Sequence, residues 1–210
     1  MHAVFFDLDG TLADTMADLA DTVNHTRRDL GLSERPVAEV IACVGCGARY
    51  LLEHAIPEVS DFDATYARFK ARYAEHATNK VQLYPGVRET LSALARRGWK
   101  LGVNTNKPRF ATVKILEHFG LLPLFGEAIV AGGDCAKMKP DAEPLVACAR
   151  KLGHALSPDD WMVGDSWTDL DCAANAGIRS AFCTYGFGRL GDAAYTKSID
   201  RFEQLLELMP

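Results

Sequence analysis

Short, mostly apolar runs alternate with helix-type patterns along much of the chain. Five runs are continuous, which is typical of strands that are covered on both faces. They occupy residues 3–6, 100–103, 128–131, 161–163 and 180–183. Between them, residues 87–94, 113–119 and 145–152 carry apolar side chains at helical spacing, and each pattern ends at or shortly before a glycine. The alternation predicts an α/β fold built on a doubly wound, mainly parallel sheet.

Residues 15–83 interrupt this alternation. They contain no convincing strand, but apolar and aromatic side chains recur at three- and four-residue steps over 16–30 and 62–73. Gly31 is a stop signal for the first of these two predicted helices. We therefore expect a helical insert at 15–83, placed between the first strand and the rest of a core formed by residues 1–14 and 84–210.

Composition narrows the classes of partner. The chain has 210 residues, of which 48% are apolar, and a net charge of −5 at pH 7. This charge argues against nucleic acid or an anionic membrane surface as the main partner. The first residues do not have the pattern of a signal peptide, and no apolar stretch approaches a membrane-spanning length. The six cysteines are scattered, as in reduced cytoplasmic proteins, so we expect a cytoplasmic location. The oligomeric state stays open.

Carboxylates cluster where two predicted strands end. Asp7 and Asp9 follow the first strand, and Gly10 after them permits a sharp turn. Asp165 ends the fourth predicted strand, and Asp169 lies four residues further on. Parallel strands bring these ends to one crevice, where the carboxylates repel one another unless a cation binds between them. Oxygen ligands of this kind suit Mg²⁺.

Groups of opposite polarity are predicted to lie at the same edge of the sheet. Thr105 and Asn106 follow the second strand, and Lys139 precedes the helix that begins near Asp141. A hydroxyl and an ammonium group there could hold phosphate oxygens. Taken singly, each signal also has an ordinary structural interpretation. Asp9 and Gly10 could form a plain turn, and Asp165 and Asp169 could cap a helix.

Together these motifs resemble those of the haloacid dehalogenase superfamily of phosphotransferases. The matching segments are Asp-Leu-Asp-Gly-Thr-Leu at 7–12, the threonine at 105, the lysine at 139 and Gly-Asp-Ser-Trp-Thr-Asp at 164–169. They occur in the order of the family and span nearly the whole chain. The resemblance implies a Rossmann-like core and makes the insert at 15–83 a helical cap domain. It also implies a Mg²⁺-dependent phosphatase that works through an aspartyl-phosphate.

The resemblance further implies a role for each core residue. Asp7 would be the nucleophile, and Asp9 would be the acid and base. Thr105 and Lys139 would bind the phosphoryl group. Mg²⁺ would be held by Asp7, the backbone carbonyl of Asp9 and Asp165. Whether Asp169 binds the metal or only supports its neighbours stays open. The remaining candidates are Asn106 as a substrate-binding residue, with Gly10 and Ser166 in support.

Within the superfamily the chain is most similar to phosphoglycolate phosphatases. The similarity rests on segments 14–24, 44–52, 84–87 and 104–107. It implies that the substrate is a small phosphorylated metabolite, with 2-phosphoglycolate favoured. Two residues depart from the subgroup pattern: Ala142 stands where a proline is usual, and Trp167 is unusually bulky for its place in the fourth motif.

Several alternatives remain at the level of sequence. Arg49 follows two glycines of the insert and could pair with a substrate carboxylate, or it could be an exposed helix residue. Cys43 and Cys46 could form a redox pair or half of a zinc site, or they could be two small buried residues. The rival functions are a phosphomutase of the same superfamily, a non-catalytic phosphate-binding module, and a phosphatase for a sugar phosphate, a nucleotide or pyrophosphate.

Overall fold

A six-stranded parallel sheet forms the centre of the molecule in the computed structural model, which describes residues 2–210. Its strand order is β5-β4-β1-β6-β7-β8, and a separate antiparallel pair joins β2 and β3. The strands are β1 (Ala3–Phe6), β2 (Ala13–Asp14), β3 (Gln82–Leu83), β4 (Lys100–Pro108), β5 (Ile129–Gly132), β6 (Trp161–Gly164), β7 (Arg179–Cys183) and β8 (Lys197–Ile199).

Helices cover the sheet and form the insert. They are α1 (Met16–Asp29), α2 (Val37–Ile41), α3 (Gly47–Ala55), α4 (Phe62–His76), α5 (Val87–Arg96), α6 (Arg109–His118), α7 (Leu122–Phe125), α8 (Glu143–Lys151), α9 (Trp167–Ala176) and α10 (Leu205–Leu208). Within residues 2–210, no helix is both long and apolar enough to cross a membrane.

The central strand β1 shows why the sheet is covered on both faces. Its side chains alternate sides, so Val4 and Phe6 belong to one buried cluster and Ala3 and Phe5 to another. The first cluster includes residues of α5 and α10, and the second includes residues of α8 and α9. All four β1 residues are fully buried. A strand enclosed in this way reads as a continuous apolar run, and the predicted α/β fold with a parallel sheet is confirmed.

The five predicted strands are present, but the short pair β2 and β3 was not predicted, and β3 lies within 15–83, where no strand was expected. The central sheet shows two further differences. Strand β4 extends through Asn104–Lys107 to Pro108 instead of ending at Val103. Its last residues are polar but buried, because they line the crevice described below. Strand β8 was not expected, since a three-residue segment containing Lys197 and Ser198 shows no apolar run and is held mainly by its pairing with β7.

Helices α1 to α4, which we call the cap helices, lie between the paired strands β2 and β3. The predicted helices at 16–30 and 62–73 correspond to α1 and α4. The cap helices share a buried cluster that includes Val23, Leu52 and Phe69, and Ala111 of α6 joins it from the core. Asp18 of α1 accepts hydrogen bonds from the backbone of Lys80, which ties α1 to the returning chain. The division into a cap at 15–83 and a core at 1–14 and 84–210 stays a prediction.

Candidate active site

The carboxyl ends of β1, β4 and β6 meet at one edge of the sheet because β1 lies between the other two strands. The backbone N–H of Asp7 still donates to the carbonyl oxygen of Val163, so Asp7 continues the pairing of β1 with β6 (N···O 3.0 Å). The polar end of β4 supplies Thr105 and Asn106, and Asp165 follows β6. These residues line a cavity of about 40 Å³ whose other side is lined by the cap helices.

Lys139 is the cation of the cluster. Its ammonium group donates to Asp169 Oδ1 at 2.6 Å and to the carbonyl oxygen of Asn104 at 2.8 Å, and it lies 3.1 Å from Asp7 Oδ1. The side chain is only 1% exposed. Burial by itself lowers the pKa of Lys139, but the charges of Asp169 and Asp7 outweigh it and leave that pKa above its ordinary value. Lys139 is therefore a permanent positive charge beside Asp7.

Asp165 is held by a loop that no sequence motif pointed to. Its Oδ2 accepts hydrogen bonds from the backbone N–H groups of Phe187 and Gly188, at 2.9 Å and 2.7 Å. A Cβ atom on Gly10 would lie 1.8 Å from the same oxygen, and one on Gly186 would lie 2.4 Å from it. The glycines therefore let the backbone approach this carboxylate closely. Burial, followed by the charges of Asp169 and Asp7, raises the pKa of Asp165 well above its ordinary value.

Asp169 is tied to the start of helix α9. Its Oδ2 accepts from the backbone N–H of Ser166, and the Ser166 side chain accepts from the backbone of Thr168, which completes a capping box. Its other oxygen contacts Lys139. Burial raises the pKa of Asp169 to about 7 against the opposing charge of Lys139. These contacts match the helix-cap interpretation of Asp169, and its role in the site, as a metal ligand or as a support for its neighbours, stays a prediction.

The three buried aspartates fit a small divalent cation. One oxygen each from Asp7, Asp165 and Asp169 lies within 4.8 Å of the other two. Asp7 Oδ1 is buried and makes no hydrogen bond, although it lies at ion-pair distance from Lys139. Lys139 contacts only two of the three carboxylates, those of Asp7 and Asp169, so the set has more carboxylates than this one ammonium group can offset. An all-oxygen set with an unsatisfied buried oxygen matches the ligands that Mg²⁺ prefers.

Asp9 lies beside this cluster but has partners of its own. Its Oδ1 accepts from the hydroxyl of Thr15 at 2.7 Å and from the ammonium group of Lys107 at 2.8 Å. Lys107 in turn donates to the hydroxyl of Tyr73 in α4 at 2.6 Å. Neither Lys107 nor Tyr73 was predicted to be a site residue. The segment 104–107 contained the lysine, but its partner across 34 residues of sequence could not be recognised without the fold.

Thr105 and Asn106 both line the cavity, but their side chains differ in how many hydrogen bonds they make. Thr105 is 4% exposed, and its hydroxyl oxygen accepts from the backbone N–H of Lys107. Asn106 uses both amide hydrogens, one on the carbonyl of Lys139 and one on the carbonyl of Gly45, each at 2.9 Å. Its side-chain oxygen accepts from the backbone of Lys139. In this structure, therefore, Asn106 holds the backbone of Lys139 and that of the loop between α2 and α3 (residues 42–46, the cap loop). It does not present a free donor to a substrate.

The cap side of the cavity is mainly apolar. Its side chains come from α1, the loop before α3, α3 itself and α4: Leu19, Val44, Ala48, Leu51 and Phe69. Arg49 is not brought to the site. Its guanidinium group is paired with Glu53 at 3.1 Å and lies 4.0 Å from the centre of the Phe62 ring, and its side chain is 64% exposed. Of its two interpretations, the structure matches the exposed helix residue.

Cys43 and Cys46 are free thiols in the cap loop, and both are half-buried. Burial raises the pKa of each thiol, which leaves them protonated and weakly nucleophilic. Among residues 2–210, the only group of three or more potential metal ligands is the aspartate cluster, so nothing completes a zinc site around these cysteines.

Comparison with known proteins agrees with the geometry of the site. The family model for haloacid dehalogenase-like hydrolases matches residues 4–183. A phosphoglycolate phosphatase of Agrobacterium fabrum is 39% identical over 189 residues, which cover 87% of this chain and 80% of that protein. A phosphoglycolate phosphatase of Chromobacterium violaceum is 34% identical, over 100% of this chain and 96% of that protein.

A solved structure is similar over the full length. The crystal structure of a predicted phosphoglycolate phosphatase from Haemophilus somnus superposes with a TM-score of 0.92 at 31% identity, and covers 100% of this chain and 98% of that one. The motifs, the parallel sheet and these relatives agree: the chain belongs to the haloacid dehalogenase-like hydrolases, and among them it is a phosphatase similar to phosphoglycolate phosphatases.

Proposed function

We propose that the protein is a Mg²⁺-dependent phosphomonoesterase that acts through an aspartyl-phosphate, with 2-phosphoglycolate as its substrate. The observation that carries this proposal is the constellation at the strand ends. Asp7 has a free, buried carboxylate oxygen, Lys139 lies beside it, and Asp9 and Thr105 line the same small cavity. Nucleophile, positive charge and proton carrier are thereby available within one site.

In the first step, an oxygen of Asp7 attacks the phosphorus atom, and the bond between phosphorus and the leaving oxygen breaks. The leaving oxygen takes a proton from Asp9, and Asp9 is left as a carboxylate. Lys139 offsets the negative charge on the phosphoryl oxygens, and the hydroxyl of Thr105 can donate to one of them. The products are an acyl phosphate on Asp7 and a free alcohol.

In the second step, water attacks the phosphorus atom of the acyl phosphate. Asp9 accepts the proton of that water, the bond between phosphorus and the Asp7 oxygen breaks, and inorganic phosphate leaves. Asp7 returns as a carboxylate and Asp9 returns protonated, so the cycle closes without any other reactant.

Mg²⁺ belongs to this proposal because the aspartates fit it. Asp7, Asp165 and the backbone carbonyl of Asp9 would hold the ion, which when bound would neutralise charge on the phosphoryl oxygens. Asp169 is engaged by Lys139 and by the start of α9, so we assign it to support the other groups.

Two observations support a small substrate. The relatives in Agrobacterium fabrum and Chromobacterium violaceum are phosphoglycolate phosphatases. The cavity between the core and the cap helices, which we take as a domain spanning 15–83, is small, at about 40 Å³, and this size favours a small ester over a hexose phosphate. The glycolate moiety requires much less space.

The test is a hydrolysis screen over phosphorylated metabolites in the presence of Mg²⁺, ranked by kcat/KM. We expect 2-phosphoglycolate to rank first, and EDTA to stop turnover until Mg²⁺ is added back. A sugar phosphate, a nucleotide or pyrophosphate ranking first would overturn the substrate. Conversion of a sugar 1-phosphate to the 6-phosphate, without free phosphate, would favour a mutase.

A further inference from the structure

The ammonium group of Lys107 bonds to Asp9 and to Tyr73. Its ammonium group lies 2.8 Å from Asp9 Oδ1, 3.1 Å from Asp9 Oδ2 and 2.6 Å from the hydroxyl oxygen of Tyr73. The ammonium group also lies 4.8 Å from the centre of the Tyr73 ring. With Thr15 on the same carboxylate, these contacts hold both oxygens of Asp9.

Because this ion pair is buried, breaking it costs more free energy than breaking an ion pair on the surface. The Lys107 side chain is 2% exposed and that of Asp9 13% exposed. A buried charge that loses its partner is strongly unfavourable, so Lys107 and Asp9 hold each other in place when Asp9 is a carboxylate, the form that accepts the proton of water in the second step. Burial by itself lowers the pKa of Lys107, but the charge of Asp9 and the presence of Tyr73 leave it above its ordinary value. Lys107 is therefore charged.

Tyr73 brings the cap helices into this arrangement. It belongs to α4, its ring stacks with Phe69 of the same helix and meets Phe110 of α6 edge-on, and it is 1% exposed. Burial raises its pKa to about 12, so its hydroxyl stays neutral. A hydrogen bond from the core lysine to this hydroxyl thus connects α4 to Asp9 through one shared ammonium group.

We propose that Lys107 is a positioning residue that fixes the orientation of the Asp9 carboxylate, and that its bond to Tyr73 makes this orientation depend on the seating of α4. The inference rests on the proposed function, because it assumes that Asp9 moves protons. Thr15 holds Asp9 from the start of α1 and Lys107 holds it from β4, so the carboxylate is fixed from two directions. A proton carrier must be held within a fraction of an ångström of its working position.

The alternative role for Lys107 is direct contact with the phosphoryl group. Among the described residues that line the cavity, it is the only lysine or arginine. The two roles differ in what they do to binding. If Lys107 binds the phosphoryl group, its loss should weaken the affinity for inorganic phosphate. If Lys107 positions Asp9, its loss should lower the rate of proton transfer and leave that affinity unchanged.

The test uses p-nitrophenyl phosphate, whose leaving group needs no proton, so that Asp9 matters only when water attacks the acyl phosphate. Lys107→Met keeps the length of the side chain and removes its charge. We expect a steady-state rate lower by about 10- to 100-fold, with the initial burst of p-nitrophenolate still near one per active site. The inhibition constant of inorganic phosphate should stay within about 3-fold of the wild-type value.

Matched variants separate this effect from general damage to the cap. Tyr73→Phe removes only the hydroxyl and should lower the steady-state rate by about 3- to 10-fold with the burst retained. Tyr66→Phe removes a hydroxyl from the same helix, away from Lys107. Lys114→Met removes a different lysine that binds α4, through the carbonyl oxygen of Glu75, and does not contact Asp9. Both controls should have the wild-type rate and burst.

Asp9→Asn separates failure of the inference from failure of the proposed function. A burst followed by slow turnover in Asp9→Asn, with wild-type turnover in Lys107→Met, would overturn the positioning role alone. No slow phase in Asp9→Asn would overturn the assigned role of Asp9 and the inference with it. Loss of the burst in Lys107→Met, with weaker inhibition by phosphate, would show that Lys107 binds the phosphoryl group instead.

Discussion

The two walls of the cavity are built from different chemistry. The core wall presents buried charge at the ends of parallel strands: Asp7 and Asp165 line the cavity, and Lys139 lies directly behind Asp7, each 7% exposed or less. The cap wall presents apolar side chains such as Leu51 and Phe69, with the hydroxyl of Tyr73 reaching Lys107. Charges that must act on phosphorus thus lie on the rigid sheet.

This difference assigns different tasks to the two regions. A buried apolar wall excludes water and limits the size of the substrate, but it offers no group that can attack or protonate. A wall of fixed charges can do both, and its geometry is the same whichever phosphate ester enters. Changes in the core wall should therefore alter the chemical steps, and changes in the cap wall should alter selectivity.

The largest effect is expected from Asp7→Asn. The amide cannot attack phosphorus, so kcat should fall by about 10⁴-fold or more while the protein stays folded. Steady-state hydrolysis and thermal unfolding measure the two quantities. The same change at an exposed position, Asp21→Asn, should leave kcat unaltered. Mg²⁺-dependent turnover near the wild-type rate in Asp7→Asn would show that Asp7 of the core wall is not the nucleophile.

A change in the cap wall should shift selectivity instead. Leu51 lines the cavity and is 4% exposed, so Leu51→Ala enlarges the space for the leaving group. The ratio of kcat/KM for a larger ester to that for 2-phosphoglycolate should rise by about 10-fold, at a loss of about 2–3 kcal/mol in the free energy of unfolding.

Leu52→Ala supplies the control, because Leu52 is buried in the same helix but does not line the cavity. It should lose similar stability with no change in the ratio. An equal shift in both variants would mean that loosening of the cap, and not the shape of its wall, sets selectivity.

The charged wall also predicts how stability depends on pH without metal. Burial holds the pKa of Asp169 at about 7, above its ordinary value of 3.8, and raises that of Asp165 in the same direction. The contribution of Asp169 to stability is complete below pH 3.8 and is lost as pH rises through about 7, and that of Asp165 is lost in the same direction. In EDTA, the melting temperature relative to that in Mg²⁺ should therefore fall by several degrees, on the order of 2–4 °C per kcal/mol, between these values.

Asp165→Asn should abolish most of this difference, because the amide removes one of the repelling charges. Its oxygen can still accept from Phe187 and Gly188. The variant should melt higher than the wild type in EDTA at pH 8 and gain little from Mg²⁺. Equal stabilisation of both proteins by Mg²⁺ would show that the ion binds elsewhere.

The smallest effect is expected from Arg49→Ala. The guanidinium group pairs with Glu53 on an exposed face of α3, so its loss should change kcat/KM for 2-phosphoglycolate by less than about 2-fold. A 10-fold or greater rise in KM for this substrate alone would mean that Arg49 reaches the carboxylate after all, and the cap wall would gain a charge.

The sequence predicted most of the sheet because its strands are buried on both faces. β1 reads as an unbroken apolar run for that reason. The same logic failed at β8, where Lys197 and Ser198 are exposed and the pairing with β7 holds the strand. It also ended β4 too early, since its last residues are polar and buried only because they line the cavity.

The core residues of the site could be found because each lies in a short local motif at a strand end. Contacts made across the fold could not. The hydrogen bond from Lys107 to Tyr73 joins two positions that are far apart in the sequence and share no motif. The hydrogen bonds from residues 187 and 188 to Asp165 come from backbone N–H groups, which a pattern of side chains cannot reveal. Arg49 had a suggestive position, but only the fold shows which way α3 turns it.

The proposed mechanism depends on transfer of the phosphoryl group from the substrate to Asp7. The most direct measurement is mass spectrometry of the Asp9→Asn variant, mixed with p-nitrophenyl phosphate and Mg²⁺ and quenched in acid. We expect a mass gain of one phosphoryl group per chain, located on the peptide that contains Asp7 and absent from Asp7→Asn. A phosphoryl group on another residue, or burst release of p-nitrophenolate with none attached to the protein, would contradict it.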